Sequence, residues 1–252
     1  MPAITPSGVE IDPDAARPID AIRVARTLLR TNRVTTLATL DPGGYPYSTV
    51  TNLIVEADGV PVVFMSGLAI HARNVTADPR VSITVADTQT DVMISPRLTL
   101  SGRAERVPAD DTSTLKARYV QRFPKSKLYL GLPDALFYRI RVEAVQLNGG
   151  PGRNANAVTP EDLLTDLEPA SALMADAPAL VASLNDNNQA AGLAGAAGAK
   201  KSKRWRVSAI DPEGIDLSTA SDLARLWFET PVTTREDFNA ALADLLEQPT
   251  AD

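Results

Sequence analysis

The sequence predicts an α+β fold in which about six short antiparallel strands close into a barrel, followed by a smaller α+β unit. Three observations carry this reading. Between residues 34 and 107, β-branched and apolar runs alternate with turn signals. Helical spacing occurs at 17–33 and 109–123, outside and between those runs. Beyond Gly149-Gly150-Pro151-Gly152 the composition shifts, and leucines recur at helical intervals. The expected division is therefore residues 1–155 for the barrel and 156–252 for the smaller domain.

Residues 1–15 read as a mobile arm. In 17–33, Ile19, Ile22, Leu28 and Leu29 give an amphipathic helix with Pro18 near its start, where proline is tolerated. Residues 34–40 (VTTLATL) are strand-like, and Asp41-Pro42-Gly43-Gly44 is a turn. A second strand spans 47–57, and Asp58-Gly59 is a hairpin signal into a third at 60–65. Next come a short helical segment with Leu68, Ala72 and Val75 on one face, then strands at 81–86 and 98–107. A helix at 109–123 and a closing strand at 136–147 complete the barrel. In the second part, helix is expected around Leu163 to Leu184, with a start at Thr159-Pro160-Glu161-Asp162. The Ala/Gly-rich stretch 189–199 reads as a flexible loop. A strand and turn follow at 205–214, and 223–228 and 235–246 complete the unit.

Composition bounds the function. The chain has 252 residues, enough for one large domain or two modest ones, and 44% hydrophobic content, ordinary for a globular protein. Its net charge of −6 argues against nonspecific nucleic-acid binding. The absence of cysteine excludes disulfides, zinc–thiolate sites and a cysteine nucleophile, and one histidine cannot build a His-rich metal centre. No apolar run reaches membrane-spanning length and the start lacks a signal-peptide pattern, so a cytoplasmic protein is expected. The run 200–206 holds Lys200, Lys201, Lys203, Arg204 and Arg206, and reads as a solvated basic loop more readily than as an anionic-partner site.

The chemistry-bearing stretch is 64–75, FMSGLAIHARNV, followed by Asp78-Pro79-Arg80. A buried strand runs into a Ser-Gly break and a short helix whose free first-turn amides attract anions. Ser66 is a candidate cap, and His71 and Arg73 flank the turn. Two residues apart on a helix, those two side chains reach one phosphate only if the helix starts near position 70.

The pattern S-x-L-A-x-H-x-x-N followed by D-P-R resembles the pyridoxamine-phosphate-oxidase-related flavin-binding split barrels, and most closely their haem-utilisation (HugZ-like) branch. Three further stretches agree: Gly44-Tyr45-Pro46-Tyr47-Ser48, residues 96–104 (PRLTLSGRA) and 147–153 (LNGGPGR). The resemblance implies an antiparallel split β-barrel that binds FMN, with a small C-terminal α+β domain, and a homodimer that completes the cofactor site. It implies phosphate contacts for Ser66, His71, Arg73 and Asn74. Ring or ribityl contacts fall to Thr49, Val50 and Arg97, and Ser48 and Thr51 share with Thr49 and Val50 the segment that lines the flavin ring and phosphate in related barrels. No residue stands out as acid, base or nucleophile, so the implied chemistry is that of a flavin-dependent oxidoreductase acting on a small-molecule substrate.

Three alternatives stay open: haem binding or degradation, a deazaflavin-dependent reductase, and a cofactor-binding module without turnover. Against haem, proteins of the related branch use a C-terminal histidine. The corresponding stretch here, Leu184-Asn185-Asp186-Asn187-Asn188, has asparagine instead.

Overall fold

The computed structural model describes residues 20–86, 91, 93–150, 154–155, 158–200 and 204–247. The expected N-terminal arm, the Pro151-Gly152-Arg153 end of the third motif and residues 201–203 of the basic run lie outside these residues.

Helix α1 (Ala21–Thr31) opens on Asp20, whose carboxylate accepts from the Arg23 amide at 2.9 Å and so caps the first turn. Ala25, Leu28 and Leu29, at helical spacing, are buried against the sheet; Ile22 is exposed. Six strands follow: β1 (Val34–Leu40), β2 (Pro46–Val55), β3 (Pro61–Ser66), β4 (Arg80–Ala86), β5 (Arg97–Arg106) and β6 (Ala135–Asn148). They pair antiparallel in the order β3-β2-β1-β4-β5-β6, and a β3–β6 pairing closes the ring. Two-residue β7 (Asn154–Ala155) adds to the end of β6.

Strand alternation puts Leu37, Leu53, Val55, Val63, Met65, Ile83, Leu98 and Leu100 into one interior cluster. Helix α2 (Ile70–Ala77) contributes Ala72 and Val75 to it. On another face, helix α3 (Thr112–Arg122) lays Tyr119 against Phe64 and Phe137, with ring centroids 5.3 and 5.7 Å away. The Tyr119 hydroxyl accepts from Asn52 Nδ2 at 2.8 Å. No helix among the described residues is long and apolar enough to cross a membrane.

The chain parts into two compact units, and the first continues past residue 155 to Leu164. The second has its own core. It holds α4 (Ser171–Asp186), α5 (Ala190–Ala196), a sheet of β8 (Arg206–Asp211), β9 (Gly214–Ser218) and β10 (Leu223–Trp227) in the order β10-β9-β8, and α6 (Arg235–Glu247). The architecture is thus an α+β fold: a barrel of six antiparallel strands with a small α+β unit after it.

Two expectations require correction. The stretch 189–199 is no loop: residues 190–196 form α5, and Ala190, Leu193 and Ala194 are buried in the second core. Small side chains let this helix approach closely, and its single large apolar residue, Leu193, supplies the anchor. Leu164 and Leu167, expected in a helix, lie between short 3₁₀ turns at Glu161–Leu163 and Glu168–Ala170.

Candidate functional site

The barrel is split between β2 and β3. Only Leu53, Ile54 and Val55 pair with β3, whereas β3 beyond Val63 pairs with β6 alone, through Phe64, Met65 and Ser66. The first half of β2 pairs with β1 from Leu40↔Pro46 to Val34↔Asn52, and no described strand lies along its other edge. The Leu53 amide donates toward β1, to the Arg33 carbonyl at 2.9 Å. By strand alternation the backbone groups of Ser48, Val50 and Asn52 therefore point to the open edge. At the apex of the wedge the Thr51 hydroxyl donates to the Phe64 carbonyl, 3.2 Å away.

The far wall of this wedge is the turn from β3 into α2. Ser66 is the last residue of β3, and it does not cap the helix as the sequence suggests. Its hydroxyl oxygen accepts from the Leu68 amide at 3.2 Å, and the hydroxyl donates to the Asp134 carboxylate. The cap position is Ala69, which offers no side-chain acceptor. The first-turn amides of Ile70, His71 and Ala72 thus lack a side-chain cap at the positive end of the helix. The helix starts at Ile70, the condition under which His71 and Arg73 can share one anion.

The predicted residues fall into three groups. Ser48, Thr49, Val50 and Thr51 stand along the open edge of β2, with Val50 68% exposed. Ser66, His71 and Arg73 stand on the opposite wall. Arg73 is exposed and has no partner among the described residues. His71 is half-buried, and desolvation holds its pKa below the usual 6.5, so the imidazole is neutral at pH 7. Asn74 points away from the wedge: it is buried, and its amide donates to the Thr39 hydroxyl at 3.0 Å, tying α2 to β1.

Arg97 is the first residue of β5. It pairs with Asn148 at the last residue of β6, while Ser66 pairs with Ala135 at the first. The 14 residues of β6 make roughly 45 Å of strand contour between them. Arg97 stands at the opposite end of β6 from Ser66. Sequence reasoning also missed Asp134, which reaches Ser66 only because β3 and β6 close the barrel across a long sequence gap.

In the second unit, Asn185 accepts from the Val207 amide at 2.9 Å and donates to the Val207 carbonyl at 3.0 Å. It fastens α4 to β8. Asn188 sits in the turn between α4 and α5 with φ +56°, a conformation asparagine tolerates. No group of three or more His, Asp or Glu side chains among the described residues could hold a metal ion.

The split barrel and its open wall coincide with a known family. The sequence profile of the family described as Pyridoxamine 5'-phosphate oxidase matches residues 23–149, which include all six barrel strands. The chain belongs to this family. Among solved structures, a protein of unknown function from Agrobacterium tumefaciens is 48% identical, covers 97% of this chain and 99% of its own, and superposes with a TM-score of 0.86. A haem-binding protein from Mycobacterium smegmatis is 28% identical, covering 93% of this chain and 98% of its own, with a TM-score of 0.54. A chloroplastic non-canonical haem oxygenase of Arabidopsis thaliana is 30% identical over 107 residues, 42% of this chain. The match spans a third (33%) of that plant protein's length.

Proposed function

We propose that the chain binds FMN in the wedge between β2 and α2, as a cytoplasmic homodimer, and serves as an oxidoreductase for a small molecule. The observation that carries the reading is the uncapped first turn of α2 with exposed Arg73 beside it. Backbone N–H groups at a helix start and a guanidinium form a ready phosphate site. The residues fit a flavin phosphate through these groups, whereas Ser66, whose hydroxyl donates to Asp134, and neutral His71 contribute less. Bound flavin supplies the redox chemistry; Thr49, Thr51 and the open backbone of Ser48 and Val50 would hold and orient it.

Support for the dimer is local. Val50, Leu68 and Ile70 expose apolar surface around the wedge, next to an unpaired strand edge. A second copy would cover both. Light scattering on the FMN-bound protein should report a dimer at micromolar concentration; a monomer with flavin still bound rules this arrangement out.

A specific observation favours haem as a second reading. A neutral imidazole is the ligating form of histidine, His71 is half-buried at the wedge, and two relatives carry haem-related names. The phosphate reading is tested by Arg73→Ala. Loss of a charge-assisted hydrogen bond should weaken FMN by about 1.5–3 kcal/mol and leave riboflavin, which lacks the phosphate, unchanged. Equal FMN affinity in the two proteins, by fluorescence titration, removes Arg73 from the site.

A further inference from the structure

We propose that Asp134 sets the charge selectivity of the wedge, disfavouring ligands that bring a doubly charged phosphate. The inference rests on the anion-binding reading above and names the residue that opposes it. Asp134 precedes β6 and is half-buried at the wall of the wedge. Two bonds fix it there: its carbonyl accepts from the Gly67 amide at 2.8 Å, and its carboxylate accepts from the Ser66 hydroxyl.

A serine hydroxyl has one proton to give. With its hydroxyl hydrogen bond directed at Asp134 and its oxygen accepting from Leu68, Ser66 presents no donor to an incoming anion. The carboxylate also places a like charge at the end of β3, four residues before the helix start that attracts the anion. Arg73 and the α2 amides attract an anion while Asp134 repels it. A phosphate monoester is largely dianionic at pH 7 and meets that repulsion twice over, whereas a singly charged acid or diester meets it once. The wedge therefore holds a monoester less tightly than its donors alone would allow.

The test compares wild type, Asp134→Asn and Asp134→Glu for binding of FMN and of riboflavin, by quenching of flavin fluorescence. Asparagine keeps the shape and an oxygen acceptor for Ser66 but removes the charge; glutamate keeps the charge. Asp134→Asn should bind FMN about tenfold more tightly than wild type, with riboflavin within about twofold and Asp134→Glu near wild type. Equal FMN affinity in wild type and Asp134→Asn overturns the selectivity role while leaving the flavin site standing. Parallel loss of FMN and riboflavin in Asp134→Asn also overturns it, because Asp134 then only holds the loop. Failure of every protein to quench FMN overturns the flavin reading itself, and the inference with it.

Discussion

Replacing Arg225 with alanine should destabilise the C-terminal unit by about 3–5 kcal/mol, the range for breaking a buried ion pair by removing one partner. Arg225 stands on β10 with a fully buried side chain. Nη1 and Nη2 donate to the two oxygens of Asp211 at 2.8 and 2.6 Å, and Nη1 also reaches Asp216 at 2.9 Å. The guanidinium lies over the Trp227 ring, 4.5 Å from its centroid. Burial opposes its charge, but the two carboxylates outweigh that and raise its pKa. Without it, Asp211 and Asp216 are left as two negative groups on neighbouring strands, out of reach of water. Both tryptophans of the sequence, Trp205 and Trp227, lie in this unit, so urea unfolding followed by tryptophan fluorescence reads it selectively. Arg225→Lys should fall between, because an ammonium keeps the charge and loses the two-pronged fork. A midpoint for Arg225→Ala within 1 kcal/mol of wild type, on the order of a surface pair, contradicts the assignment.

The second large effect is expected at Gly59, in the β2–β3 hairpin. Its φ is +96°, and an added Cβ would stand 2.2 Å from the Leu163 carbonyl oxygen. That carbonyl belongs to a short 3₁₀ segment which Arg26 of α1 clasps by donating to Asp162 O and Leu164 O, both at 2.5 Å. The segment cannot retreat without losing that clasp. Gly59→Ala should therefore cost about 2–4 kcal/mol, combining backbone strain with displacement of the Leu163 turn. Gly44, with φ +85° and no atom within 4 Å of its would-be Cβ, is the control for strain alone. Its alanine variant should lose about 1 kcal/mol or slightly more. Equal losses at the two positions, measured by circular dichroism melts, would show that the Leu163 contact carries no energy.

The barrel was legible because its strands have strong local signatures. Residues 34–40 alternate β-branched and apolar side chains between polar breaks, and β1 spans those same residues. Asp58-Gly59 announced the hairpin because a positive φ needs glycine. The α5 helix was illegible for a physical reason: alternating alanine and glycine have the composition of a linker, and only the packed core around Leu193 makes them a helix. Ser66 misled because a serine before an apolar segment is a common cap signal, yet its hydroxyl closes a local turn with Leu68 instead. Asp134 gave no local signal, since its meaning depends on the pairing of β3 with β6. Arg97 lies in a recognisable stretch, and the pairing of β5 with β6 sets it at the opposite end of β6 from Ser66.

The most direct test of the flavin site is a pair of absorption titrations of the purified wild-type protein, one with FMN and one with haemin. A phosphate-anchored flavin predicts saturable FMN binding, with shifted flavin bands and quenched fluorescence, at about one FMN per chain. It also predicts that haemin gives only a weak, broad Soret change which FMN reverses. A sharp Soret band that FMN does not displace, with no saturable FMN binding, would contradict the account and hand the wedge to haem.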